Sequence, residues 1–145
     1  MPVVYFDASA FVKLLIDEPG SDLAVALWDG CDAAVSSRLA YAEVRAALGT
    51  AHRNHDLDRD GLAQAERSWE VYWKATRPVE LTPAVERHAG QLAVQRALRG
   101  ADAVHLASAL AVVVPALIVA VWDQRLHAGA VAAGVAVAPA RLDQG

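Results

Sequence analysis

The chain has 145 residues, 55% of them apolar, and a formal charge of −4. That length and apolar content suit one domain spanning residues 1–145 with a real core, and they exclude a disordered chain. The acidic balance lacks the basic face usual in nucleic-acid binders, and the lone Cys31 excludes an internal disulfide framework or a multi-cysteine zinc site. The N-terminus has no basic region, and Asp7 interrupts its apolar start, so it does not read as a signal peptide. A reducing cytoplasm is the expected compartment.

In chain order, residues 3–6 form a short apolar run that predicts a buried strand. Ser9 is expected to cap a helix over 10–16, which Asp17-Glu18-Pro19-Gly20 breaks. A helix over 22–28 and a weak strand at 33–35 follow. Ser36 or Ser37 is expected to cap a helix over 38–52. After a polar turn at 54–58, a helix over 59–75 carries Leu62, Ala65, Trp69 and Trp73 on one stripe. A strand at 79–81 leads to a helix capped by Thr82, with Pro83 at its first position and Arg99-Gly100 at its end. The remaining elements are a helix over 102–113, a strand at 117–121, a helix over 124–133 and a strand at 135–137.

Residues 103–122 carry no formal charge over twenty positions, long enough in principle to span a bilayer. Pro115 divides the segment, and His105 and Ser108 interrupt its first half. A helix turning at Pro115 into a buried strand explains the pattern better. Alternation of strands and helices predicts an α/β sandwich with a mostly parallel sheet.

Four acids stand at the borders of apolar runs: Asp7, Glu43, Asp102 and Asp123. A buried carboxylate is costly unless it is hydrogen-bonded, ion-paired or metal-bound. Asp7 and Asp123 occupy the carboxyl ends of predicted strands, where open α/β sheets bind ligands. Gathered together, the four would raise one another's pKa, and a hard divalent cation such as Mg²⁺ or Mn²⁺ would offset that. Such a site suits hydrolysis of a phosphodiester. Taken singly, each acid has a plainer role. Asp7 or Asp123 could be a turn or helix cap, and Asp102 a favourable helix N-terminal residue. Glu43 could pair with Arg38 or Arg45.

The segment Val4-Tyr5-Phe6-Asp7-Ala8-Ser9-Ala10-Phe11-Val12-Lys13-Leu14 resembles the opening of a PIN domain, particularly a VapC-type toxin. Ser36-Ser37-Arg38-Leu39-Ala40-Tyr41-Ala42-Glu43-Val44 is similar to that family's second acidic motif. The third and fourth are resembled by residues 98–109, around Asp102, and by Trp122-Asp123-Gln124-Arg125-Leu126. The four motifs occur in the family's order. The resemblance implies a PIN-like three-layer sandwich and a Mg²⁺- or Mn²⁺-dependent endoribonuclease. It implies Asp7 and Asp102 as central metal ligands. Glu43 would bind metal or activate water, and Asp123 would hold metal directly or through water. Ser9 would be an accessory hydroxyl. An RNA substrate, a VapB-like antitoxin and a homodimer are implied as partners. One position departs from the pattern: Val121 stands where the family often has a hydroxyl two residues before the last acid.

Several residues have plainer readings beside functional ones. His105 lies one turn beyond Asp102 and could face the site, but a packed or hydrogen-bonded histidine is the simpler expectation. Trp69, Tyr72 and Trp73 could stack bases, and at helical spacing they suit a core or an interface. Lys13 and Arg99 stand close to Asp7 and Asp102 and are candidates for seating RNA, with surface ion pairs as the alternative. A catalytically weak or inactive PIN-like module that binds RNA or protein is the competing function. A haloacid-dehalogenase-type phosphatase would want an acid where Ser9 stands. A phosphorelay receiver would want paired acids at the first strand end. No Gly-rich phosphate loop is present.

Overall fold

The protein's computed structural model describes residues 2–142. Among these, five strands alternate with seven helices. The strands are β1 (Val3–Phe6), β2 (Ala33–Ser37), β3 (Arg77–Val79), β4 (Leu117–Ala120) and β5 (Ala136–Ala138). The helices are α1 (Ala8–Leu15), α2 (Ser21–Gly30), α3 (Leu39–Arg53), α4 (Arg59–Ala75), α5 (Pro83–Gln95), α6 (Gly100–Leu110) and α7 (Gln124–Ala132). All strand pairs are parallel, in the order β3-β2-β1-β4-β5.

β1 is the centre of the sheet, and its alternating side chains divide the core. Val4 and Phe6 join Ala34 and Ala120 beneath α1, α3 and α4, with Phe11, Val44, Leu48 and Trp69. Tyr5 joins Val35 and Val119 on the opposite face, under α5, α6 and α7, with Leu92, Leu106 and Leu126. β1 and β4, covered on both faces, are almost wholly apolar, as central strands of parallel sheets usually are. The result is the parallel α/β sandwich that the alternation of elements predicts, in the three layers that the family resemblance implies. Trp69 is fully buried and Tyr72 and Trp73 pack against the same cluster, so this stripe is core.

Four local expectations shift. Asp7, not Ser9, caps α1: its side chain accepts the Ala10 N–H, and Ser9 already lies in the first turn. Ser36 belongs to β2, where its hydroxyl donates to the Phe6 carbonyl. Ser37 ends that strand and accepts the Leu39 N–H. β3 falls two residues early and places Pro78 on the sheet's edge, where its missing N–H costs no ladder bond. α5 stops at Gln95, because Ala97 takes a positive φ of 51° and turns the chain before α6. Thr82 and Pro83 start α5 as expected, with the Thr82 hydroxyl accepting the Val85 N–H. The uncharged segment 103–122 divides into α6 and β4, and no helix among the described residues is long and apolar enough to cross a membrane.

Phe11 links α1 to the rest of its core half. Its ring lies 5.3 Å from Phe6 and 4.8 Å from Trp69, with no exposed surface. Phe11→Ala should lower unfolding free energy by about 3–5 kcal/mol, read from the midpoint of urea denaturation.

Candidate active site

The topology gathers the four acids. β1 and β4 are neighbours, yet α1 follows β1 beneath one face and α7 follows β4 on the other. This is the switch point at which doubly wound sheets open a crevice beyond their carboxyl ends. Asp7 leaves β1 there, and Asp123 stands just beyond β4. Both are helix caps as well: Asp7 Oδ1 accepts the Ala10 N–H at 2.9 Å, and Asp123 Oδ2 accepts the Leu126 N–H at 2.9 Å. The plainer role and membership of the cluster therefore coexist.

Asp7 is 3% exposed. Burial pushes its pKa up to about 6; the His105 charge and the hydrogen bonds from Ser9 and Ala10 restrain the rise, and the Asp123 charge adds to it. Ser9 donates to Asp7 Oδ1 at 2.6 Å and accepts the N–H groups of Trp122 at 2.9 Å and Asp123 at 3.3 Å. One hydroxyl thus ties the end of β1 to the loop after β4.

Asp102 sits in the first turn of α6 with its side chain 9% exposed. Arg99 donates Nε to Asp102 Oδ2 at 2.9 Å and Nη2 to Asp123 Oδ1 at 3.2 Å. Hydrogen bonding and charge from Asp102, with the Asp123 charge, hold the guanidinium pKa above its ordinary value. Glu43, in the second turn of α3, pairs through Oε1 with His105 Nε2. His105 Nδ1 meets the Tyr5 hydroxyl at 2.7 Å, and that hydroxyl also accepts the Ser37 N–H at 3.1 Å. Burial works to lower the His105 pKa, but the Glu43 contact and the charges of Asp7, Glu43 and Asp102 outweigh it and raise it.

Ser9 and Arg99 thus tie Asp7, Asp102 and Asp123 together by hydrogen bonds, whereas Glu43 is bonded to His105, on which Asp7 and Asp102 act through their charge. The four acids do not face one another as a finished cage. Among the described residues no three His, Cys, Asp or Glu side chains are placed to hold one ion. Glu43 uses neither Arg38, which pairs with Glu80, nor Arg45, which reaches Glu66 and Glu70. His105 combines its two sequence readings: it is 2% exposed and it contacts Glu43. Tyr5 is the participant that sequence reasoning passes over; a tyrosine inside a buried strand needs a partner for its hydroxyl, and that is the usable signal. Lys13 is held by Glu18 at 3.0 Å and lies 5.9 Å over the Trp122 ring. Val121 is fully buried in the core half under α6 and α7, and the hydroxyl beside Asp123 comes from Ser9 instead.

Residues 4–119 match the PIN domain. The chain belongs to the PIN-domain family. Within that family it is of the VapC type: it is 74% identical to Ribonuclease VapC49 of Mycobacterium tuberculosis (strain ATCC 25618 / H37Rv) over 143 residues, 99% of each chain. The PIN fold is also seen in the crystal structure of FitAcB from Neisseria gonorrhoeae, at TM-score 0.67 and 21% identity over 92% of this chain and 95% of that one. VapBC2 from Rickettsia felis, solved bound to a DNA fragment from their promoter, aligns at TM-score 0.62 and 10% identity over 93% and 96%.

The raised Asp7 pKa fixes a sign for pH dependence. An unfolded Asp titrates near ~3.9, so between that pH and about 6 the folded chain binds the extra proton. The stabilisation is present below the lower value and is lost as pH rises through the upper one. In EDTA, Asp7→Asn should therefore stabilise the protein at pH 7.5, by about 2–3 kcal/mol, and the gain should vanish near pH 4. Chemical denaturation at the two pH values measures it.

Proposed function

We propose that this protein is the toxin of a type II toxin–antitoxin pair, a VapC-type endoribonuclease that hydrolyses RNA phosphodiester bonds with Mg²⁺ or Mn²⁺. The carrying observation is the meeting of Asp7, Glu43, Asp102 and Asp123 at the sheet's switch point. The high identity to a protein named a ribonuclease supports it.

The site's chemistry suits a hard cation. Its acidic donors are all oxygens, the ligand type that Mg²⁺ and Mn²⁺ take. Asp7 and Asp102 would be the central ligands, with Glu43 and Asp123 completing the set. A bound divalent ion would neutralise charge on the scissile phosphate and make an attacking water more acidic. The protein's own groups do the rest. Ser9 fixes the Asp7 carboxylate against the Asp123 loop. His105, anchored on Tyr5, orients Glu43 to take a proton from the attacking water as its oxygen bonds to phosphorus and the P–O bond to the leaving oxygen breaks, with solvent supplying the leaving oxygen's proton. Arg99 stands where a guanidinium can meet a phosphate. Hydrolysis in this way requires no covalent intermediate on the protein.

A VapB-like antitoxin covering the site, a homodimer as the basic unit and a cytoplasmic location complete the proposal. VapBC2, named for a pair of components and solved on promoter DNA, supports the antitoxin. The competing function, an inactive module that binds RNA or protein, draws support from Arg99 bridging Asp102 and Asp123.

Purified protein incubated with total RNA should cut it with Mg²⁺ or Mn²⁺ and not with EDTA. Asp7→Asn and Asp102→Asn should each slow cleavage by more than about 100-fold, a barrier rise of roughly 2.7 kcal/mol, while circular dichroism stays unchanged. RNA binding without EDTA-sensitive cutting would favour the inactive module. Arg99→Gln and Lys13→Gln should each weaken RNA binding across sequences and reduce the salt slope of log affinity by about 1. An unchanged slope would remove that residue from RNA seating.

A further inference from the structure

Beside the acids lies a pocket of about 330 Å³ that the chemistry above does not use. Pro19, Leu23, Trp122, Gln124, Pro139 and Arg141 line it. Its volume falls at the small end of the ~300–1,000 Å³ typical of ligand sites. Two of its residues, Trp122 and Gln124, flank Asp123 in sequence. The Trp122 N–H is fixed on the Ser9 hydroxyl at 2.9 Å, and that hydroxyl is fixed on Asp7. The pocket therefore adjoins the acids through this hydrogen-bonded loop.

Its wall has the composition that recognises an unpaired base. Trp122 offers an aromatic surface, and Arg141 a planar guanidinium; both stack on bases in single-stranded RNA. Leu23 is 38% exposed here, and with the two prolines it supplies an apolar floor. Gln124 carries a donor and an acceptor on one amide, the pair needed to read a base edge. Gly20 keeps the indole in place. A Cβ there would lie 2.6 Å from Trp122 Nε1, and the φ of +98° disfavours any side chain. The Lys13 ammonium, paired with Glu18, lies 5.9 Å from the Trp122 ring centroid.

We propose that this pocket is a nucleobase subsite: it seats the base of a nucleotide flanking the scissile phosphate, with Trp122 as the stacking platform and Gln124 as the edge reader. The proposal rests on the RNA-cleaving function given above, and it assigns that function a source of sequence preference. A stacked, edge-read base holds its neighbouring phosphate over Asp7, Asp102 and Asp123. Base identity at one position, not along the whole strand, then decides which bonds are cut.

Short single-stranded RNAs carrying a fluorescent purine analogue at one position at a time test the idea, bound to the Asp7→Asn protein so that they stay intact. One position should show altered emission on binding. Both Trp122→Leu and Gln124→Leu should weaken that signal's apparent affinity about fivefold or more, the factor expected for losing one good base contact. If Trp122→Leu fails to fold, the exposed Gln124→Leu decides alone. An emission change at no position, or one that Gln124→Leu leaves unaltered, overturns the subsite. Cleavage of unlabelled RNA by the otherwise native protein is scored separately. A position-specific signal without any cleavage would discard the nuclease and keep the subsite, whereas cleavage without such a signal would discard the subsite alone.

Discussion

A carboxylate at the end of the central strand governs this structure. Asp7 is buried where β1 stops, and solvent cannot stabilise its charge. What surrounds it answers that cost. The Ala10 amide of α1 and the Ser9 hydroxyl donate to it, and a histidine with a raised pKa sits within electrostatic reach. The path of the chain from β1 into α1 is set by the same group, because the side chain that carries the charge also caps the helix.

The remaining acids are handled by the same logic with different partners. Asp123 caps α7 and shares Arg99 with Asp102, while Glu43 leans on His105. The arrangement keeps negative charge concentrated at one crevice by interleaving it with two basic groups. Asp7 and Asp123 each cap a helix from within the cluster, so a capping role gives no reason to discount an acid as functional.

Particular residues show how far the sequence could be read. Val4, Phe6, Phe11, Val44 and Leu106 declare their burial by pattern alone, since apolar runs and helical stripes have few other uses. All four acids announce themselves by interrupting those runs. Ser9 is harder: a serine after a strand end suits a cap, and only the backbone angles of Asp7 give the cap to the earlier residue. Pro78 is harder still, because a proline argues against a strand until that strand is known to lie at the sheet's edge. Arg99 and Asp123, 24 positions apart, form an ion pair that no local rule could supply.

The sequence by itself determined the alternation of strands and helices, the two-sided core and the identity of the four acids. These follow from periodicity and from the cost of placing charge in apolar surroundings, both local properties. The tertiary structure alone decided who partners whom. His105 meets Glu43 across 62 positions, and Ser9 reaches Trp122 across 113. The pocket between Gly20, Trp122 and Arg141 likewise draws on segments far apart in the chain. Such contacts depend on strand order and helix placement. Those are fixed by the packing of the whole sheet and not by any window of residues.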